Sequence, residues 1–190
     1  MSETREIKGY LPKDKRKNIL LLSDDFRLPS GIGTQSKEMI FNTCHRYNWL
    51  QLGAAVKHPE AGKIINISDD ISKITGVPDP NVVVIPFEGY GNPMVIREII
   101  RQNKIDAIMI FTDPRFFTWL FDMEDEIRSK IPIIYWNIWD DLPYPNWNRS
   151  YYASCDLLMG ISKQTVNLNR EVLGAGNYTE LDFKTGYNKK

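Results

Sequence analysis

The chain has 190 residues, enough for one domain with a sizeable buried core. Hydrophobic residues make up 42% and charged residues 25%, and this composition excludes a disordered chain. The 24 basic residues are balanced by 24 acidic residues, so the net charge is zero. This balance argues against a nucleic-acid partner, because such a partner selects a basic surface.

Cysteine and histidine usage points to a reduced compartment without structural zinc. Cys44 and Cys155 are far apart, and the two histidines, His45 and His58, form no cluster with metal-ligand spacing. The polar leader over 1–16 lacks the apolar core of a signal peptide, and no run approaches the roughly 20 apolar residues of a spanning helix. We therefore expect no metal, no transmembrane segment and a cytoplasmic protein, with contact at a membrane surface left open.

Short apolar runs alternate with amphipathic segments along the chain. The run over 18–23 is continuous and apolar, as in a strand buried on both faces of a parallel sheet. A helix is predicted over 34–47, where apolar positions share one helical face. The other predicted strands lie at 49–56, 82–87, 107–111, 131–136 and 157–161, with a brief apolar run at 64–67.

Two further helices begin with the same device, a capping side chain followed by proline. Asn92 opens the first, whose buried stripe is Val95, Ile96, Ile99 and Ile100. Asp113 opens the second, with a stripe formed by Phe116, Trp119, Leu120, Met123 and Ile127. A last helix is predicted over 162–173.

This alternation predicts an α/β fold with a Rossmann-like, doubly wound, mainly parallel sheet and helices on both faces. The domain is expected to span 17–173. Residues 174–190 show no clear period and are interpreted as a tail or as the start of a linker.

In such a sheet, ligands bind beyond the carboxyl ends of the strands. The loop over 24–35 contains Gly31, Ile32, Gly33 and Thr34 before the predicted helix, where free N–H groups favour an anion and glycine allows close backbone approach. A dinucleotide fingerprint would need a third glycine at Ser36. We interpret the four residues as substrate-binding, the alternative being a turn that only starts the helix.

The loop after the 107–111 strand offers Asp113, which could orient a hydroxyl, and Arg115, which could hold an anion. An aspartate before a proline is also an ordinary helix cap, so the two interpretations of Asp113 stand side by side.

The segment 135–152 is rich in aromatic residues and contains three of the five tryptophans. Aromatic faces interleaved with Asn and Asp suit sugar rings, which stack on the faces while their hydroxyls bind the polar groups. The alternative is that the aromatics cover the end of the sheet or an interdomain face. The candidate residues are Asn137, Trp139, Asp140 and Asp141, with the two acids as hydroxyl acceptors.

Taken in order, these segments resemble the N-terminal domain of GT-B fold glycosyltransferases of the glycosyltransferase 4-like group, over about 17–173. KNILLLSDDFRLPSGIGTQSKEM resembles the family's first strand, glycine loop and first helix, and DAIMIFTDP resembles the end of its fourth strand. IPIIYWNIWDDLPYP resembles the following strand with its acceptor-side loop, and YYASCDLLMGISKQTVNLNREVLG resembles the family's closing helix, strand and helix.

The resemblance implies transfer of a sugar from a nucleotide-sugar donor to a saccharide or other hydroxyl acceptor, without a metal or other cofactor. Gly31 and Gly33 match the family's glycine loop, which approaches the donor phosphates. Asp140 matches the acid of the family's His-Asp pair, with Trp139 in place of the histidine. Asp140 is therefore a candidate catalytic residue, and Asp113 is the second.

The family's C-terminal donor-binding domain has no counterpart in this sequence, so the resemblance implies a further domain or a partner chain. Transfer needs the donor oriented across a cleft, and the chain alone is expected to be only the acceptor-binding half. The alternatives are a non-catalytic Rossmann-like binding or assembly module and a small nucleotide-binding protein.

Overall fold

The structure is a computed structural model, and it describes residues 7–55 and 57–174. Seven strands form one sheet there: β1 (Lys17–Asp24), β2 (Tyr47–Ala54), β3 (Ile65–Asn66), β4 (Val82–Phe87), β5 (Ala107–Phe111), β6 (Ile133–Asn137) and β7 (Leu157–Gly160). The α-helices are α1 (Gly31–Thr43), α2 (Ser68–Thr75), α3 (Pro93–Gln102), α4 (Thr118–Phe121), α5 (Glu124–Arg128), α6 (Arg149–Ala153) and α7 (Lys163–Leu173).

The strands lie in the order β3-β4-β2-β1-β5-β6-β7. All neighbouring pairs are parallel except β3 with β4, which is antiparallel. The six parallel strands thus follow the 3-2-1-4-5-6 order of a dinucleotide-binding sheet, and the winding reverses between β1 and β5. This confirms the predicted Rossmann-like, doubly wound fold.

Helices cover both faces of the sheet, as predicted. On one face, α1 and α2 bury Ile40 and Ile71 against a core that includes Leu21 of β1. On the other face, α3 to α7 share a core with alternate residues of the same strand, Leu20 and Leu22. Strand β1 is therefore buried on both sides, which explains its continuous apolar run.

The first helix begins three residues earlier than predicted, at Gly31, and ends at Thr43 rather than at residue 47. Ser30 is its N-cap, and the Ser30 Oγ accepts a hydrogen bond from the Gly33 N–H at 2.8 Å. The expected glycine loop before the helix is therefore the first turn of α1. Strand β2 correspondingly starts at Tyr47, and Val56, the predicted end of that strand, lies outside the described residues.

The single helix expected after Asp113 is divided into a 3-10 helix (Pro114–Phe117), α4 and α5. The backbone leaves helical geometry at Phe117 and Met123, whose ψ angles are 23° and 21°. Both side chains are buried, so tertiary packing overrides the helical period. Phe116, which was expected on the buried stripe, is instead 52% exposed.

The remaining boundaries shift by one or two residues. Strand β6 spans Ile133–Asn137 instead of 131–136, β7 stops at Gly160, and Ser162 caps α7. At the other end, the buried Arg16 donates to the Asp79 carbonyl at 2.7 Å, and the Leu11 N–H donates to the His45 carbonyl at 2.9 Å. These contacts hold the segment 7–16 against the domain. Residues 1–6 and 175–190, including nearly all of the predicted tail, lie outside the described residues.

Candidate functional site

The carboxyl ends of β1, β5 and β6 are neighbours at one edge of the sheet, where the winding reverses. This is the position at which doubly wound sheets bind ligands. Three groups of predicted site residues follow these strands: the start of α1, the Asp113 turn and the aromatic segment after β6. The topology therefore brings all three groups to one edge.

Two aspartates at the end of β1 have different surroundings. Asp25 is fully buried, and its carboxylate accepts hydrogen bonds from the Arg27 guanidinium, the shortest at 2.7 Å. A Cβ atom at Gly53 would come within 2.8 Å of the Asp25 Cβ, so glycine is needed there for close approach. The role of Asp25 is to fix the loop after β1.

Asp24, in contrast, is half-buried at the edge and is held by two neutral hydroxyls. Tyr90 donates to its Oδ1 at 2.8 Å, and Ser30 donates to its Oδ2 at 2.7 Å. Burial raises the pKa of the Tyr90 hydroxyl well above its usual value, and the hydrogen bond to Asp24 and its charge raise that pKa further. Tyr90 therefore remains a hydrogen-bond donor to Asp24 at neutral pH.

The first turn of α1 carries the four residues predicted to bind substrate. A Cβ atom at Gly33 would lie 2.8 Å from the Leu28 carbonyl oxygen, so this glycine is needed for packing. Gly31 has nothing within 4 Å of such an atom and faces open space. The Thr34 N–H donates a hydrogen bond to the Ser30 carbonyl at 2.8 Å, as at an ordinary helix start. Substrate binding by Gly31, Ile32, Gly33 and Thr34 stays a prediction.

The Asp113 turn confirms the helix-cap interpretation. The Asp113 Oδ1 accepts from the Arg115 N–H at 2.9 Å, and the carboxylate also pairs with the Arg115 guanidinium, with an Nε–Oδ2 distance of 3.0 Å. Burial alone would raise the pKa of Asp113, but the hydrogen bonds and the charge of Arg115 hold that pKa below its usual value. The positive charge predicted to hold an anion is thus already paired with Asp113.

Asn137, predicted to bind substrate, is buried at the end of β6. Its Oδ1 accepts from the Tyr135 hydroxyl at 3.1 Å and from the Trp139 N–H at 3.0 Å. Its Nδ2 donates to the Tyr152 hydroxyl at 2.9 Å and to the Asn169 Oδ1 at 2.6 Å. All of its hydrogen-bonding capacity is therefore used inside the protein, so Asn137 holds the following loop in place and is not available to a ligand in this conformation.

The loop after Asn137 presents two tryptophans and two acids. The rings of Trp139 and Trp147 meet edge to face, with centroids 5.8 Å apart. The Trp139 Nε1 donates to the Asp141 carbonyl at 2.9 Å, and Gln164 of α7 donates to the Asp140 carbonyl at 2.7 Å. Both carboxylates are on exposed residues. Trp139, Asp140 and Asp141 are consecutive in the chain, and their binding of a substrate, with Asp140 as a catalytic acid, stays a prediction.

Sequence reasoning missed the contribution of the loop after β4. Gly89 and Gly91, with φ of 83° and 99°, flank Tyr90 and let the chain turn so that its ring reaches Asp24 and Phe116. An aromatic residue between two glycines at a strand end is the signal that could have indicated this residue.

A separate groove of about 640 Å³ lies between α3 and the sheet. Its apolar lining includes Leu50, Val83, Ile85 and Ile99, and none of the candidate residues contributes to it.

Among the described residues, no three His, Cys, Asp or Glu side chains are grouped to hold a metal ion. No helix in 7–55 or 57–174 has the length and apolar character needed to cross a membrane.

Comparisons of this chain with models of protein families, with curated proteins and with solved structures give no match.

Proposed function

We propose that this domain is the acceptor-binding half of a glycosyltransferase that uses a nucleotide-sugar donor. The observation that carries the proposal is the Trp139–Trp147 pair beside the exposed Asp140 and Asp141, at the carboxyl edge of a doubly wound sheet. Aromatic faces stack on the apolar faces of sugar rings, and carboxylates accept hydrogen bonds from sugar hydroxyls.

Preorganisation of this loop supports the proposal. The buried Asn137 amide holds the Trp139 backbone, and Gln164 fixes the Asp140 carbonyl, so two elements of the fold position the two residues. A site whose geometry is set in advance by hydrogen bonds within the protein loses little conformational entropy when a ligand binds.

In the proposed reaction, Asp140 accepts the proton of an acceptor hydroxyl. The hydroxyl oxygen forms a bond to the anomeric carbon of the donor sugar while the bond from that carbon to the nucleoside diphosphate breaks, and the electron pair leaves with the phosphate. A further domain or a partner chain would hold the donor. The chain alone should therefore bind acceptors without transferring sugar.

The test measures binding of a panel of methyl glycosides to the isolated chain by saturation-transfer NMR. We expect binding that is weakened at least about tenfold by Trp139→Ala, the size of loss expected from one stacking aromatic. Tyr47→Ala is the matched control, because Tyr47 is an exposed aromatic at the amino end of β2. Absence of binding to every glycoside would contradict the proposal.

A second candidate function is a non-catalytic binding or assembly module. The observation in its favour is that the same loop exposes Leu142, Tyr144 and Trp147, which together would suit a protein interface. If Trp147→Ala abolishes association with a protein partner and leaves glycoside binding unchanged, the module is the better description.

A further inference from the structure

Outside the Trp139 loop, a second aromatic surface lies at the point where the winding of the sheet reverses. The Phe116 ring is stacked on Tyr90, with centroids 4.6 Å apart and an interplanar angle of 15°. Tyr90 is held in turn by the buried Phe117, which meets it edge to face at 5.6 Å. Phe116 is nevertheless 52% exposed, so a fixed aromatic ring is presented to solvent.

The second component is the carboxylate of Asp24, which the Tyr90 hydroxyl joins to this aromatic stack at 2.8 Å. Each oxygen of that carboxylate accepts one hydrogen bond from a neutral hydroxyl, Tyr90 on one side and Ser30 on the other. A carboxylate has about four acceptor sites, so capacity remains for hydroxyl groups of a ligand. The residue is only half-buried, which leaves it reachable.

The charges around this cluster decide which ligands it favours. In the described loops after β1, β4 and β5, the two cations are Arg27 and Arg115, and each pairs with its own aspartate, Asp25 and Asp113. Neither arginine therefore neutralises the charge of Asp24. An anionic ligand would be repelled, whereas an uncharged polyhydroxyl ligand could donate to the carboxylate.

We propose that Phe116, Tyr90 and Asp24 form a second saccharide subsite, which takes an uncharged sugar ring stacked on Phe116 with a hydroxyl donated to Asp24. This inference rests on the proposed function, since both take the ligand to be a saccharide. Asp24 ends β1, which lies two strands from β6, about 10 Å along the sheet, whereas Phe116 follows β5, the direct neighbour of β6. The subsite and the Trp139 loop therefore share no residue but lie on the same edge.

The test measures the affinity of the chain for methyl glucoside, methyl galactoside and methyl mannoside, and for the corresponding 6-phosphates, by NMR titration. At resonances of residues around Asp24, which report this subsite separately from the Trp139 loop, we expect Phe116→Ala to weaken binding of the preferred neutral glycoside at least about tenfold. Phe116→Tyr should retain that binding, because the tyrosine preserves the stacking face. We also expect the 6-phosphate to bind at least tenfold more weakly than the neutral glycoside. Met94→Ala is the control, since Met94 is 80% exposed at the start of α3.

Asp24→Asn tests the carboxylate, with thermal unfolding measured in parallel to show that the variant is folded. If it does not fold, the Phe116 pair of variants decides the matter. Equal affinity of Phe116→Ala and the unchanged chain would overturn the subsite, as would tighter binding of the 6-phosphate. Binding that depends on Trp139 alone would overturn this inference and leave the proposed function standing, whereas absence of any glycoside binding would overturn both.

Discussion

Asp24 and Asp25 are adjacent in the sequence, yet the structure gives them opposite tasks. Asp25 is fully buried and pairs with Arg27, an arrangement whose loss would leave the Arg27 guanidinium with only Glu60. Asp24 is held by neutral hydroxyls and retains free acceptor capacity. A buried charge with a dedicated partner serves the fold, and a reachable carboxylate without one is suited to a ligand.

The close contact between Gly53 and Asp25 predicts that alanine is tolerated less well at Gly53 than at Gly31. Gly53→Ala should lower the free energy of unfolding by about 1–3 kcal/mol, because its Cβ would lie 2.8 Å from the Asp25 Cβ and 2.9 Å from the Asp25 Cα. Gly31→Ala is the matched control, with open space around its Cβ, and should be neutral or stabilising by up to about 1 kcal/mol. Urea denaturation of both variants measures the difference, and equal effects would contradict it.

Three elements at the carboxyl edge of the sheet begin with a side chain that caps their first turn. Ser30 caps α1, Asp113 caps the 3-10 helix over Pro114–Phe117, and Ser162 caps α7. In the first two cases the capping side chain also contacts a charged group, Asp24 or Arg115. The side chains of Ser30 and Asp113 therefore both cap a helix start and hold a charged residue at this edge of the sheet.

The Asp113 cap predicts a pH-dependent stability. The folded-state pKa of Asp113 is lowered, so its charged form stabilises the fold above the unfolded value of about 3.9, and this contribution is lost as pH falls through the folded pKa. Asp113→Asn keeps a capping oxygen and removes the ion pair. It should cost about 0.5–1 kcal/mol at pH 7, as expected of a partly exposed pair, and nothing once the pH is well below the lowered folded-state pKa of Asp113.

Denaturant unfolding of the unchanged chain and Asp113→Asn at pH 7 and in acid provides the measurement. Asp14→Asn is a suitable control, because that carboxylate is 73% exposed and its ion pair is with the neighbouring Lys15. A cost for Asp113→Asn that is the same at both pH values would show that the ion pair is not its source.

The described domain has two cores, one on each face of the sheet, and β1 is among the strands that contribute to both. Leu20 and Leu22 of β1 belong to the core under α3 to α7, and Leu21 belongs to the core under α1 and α2. Alternate residues of a strand face opposite sides, so any disruption of β1 reaches both faces of the sheet. The domain should therefore unfold as one cooperative unit.

Leu20→Ala and Leu21→Ala test this coupling. Each side chain is fully buried, and each truncation should cost about 3 kcal/mol through lost burial and a residual cavity. Urea unfolding followed by both far-UV circular dichroism and tryptophan fluorescence should give one coincident transition for each variant. Separate transitions, with only one core melting, would refute the coupling.

The sequence was most informative where the chain is continuously apolar. Strands β4 and β5 were predicted to the residue, because buried parallel strands need unbroken apolar runs. The start of α1 was missed, since its first turn, Gly31 to Thr34, has no periodic pattern and depends on the Ser30 side chain. Phe116 was misplaced because packing at Phe117 broke the expected helix.

The candidate site was predictable to a similar, limited extent. The strand-end rule located Asp113 and the Trp139 segment at the correct edge, because it needs only the strand positions. It could not reveal that Asn137 is buried, nor that Tyr90 reaches Asp24 across 66 residues of sequence. Such contacts depend on the path of loops, which local patterns do not encode.

The antiparallel strand β3 is only two residues long, yet it covers one border of the sheet. It pairs with Val83 and Val84 of β4, while the neighbouring Val82 and Pro86 carbonyls accept from the Ile67 and Gly62 N–H groups. Proline offers no N–H of its own, so this border of β4 lacks a run of free backbone groups on which a foreign strand could be templated. Concentrated samples should accordingly resist growth of the sheet by strand addition at this border.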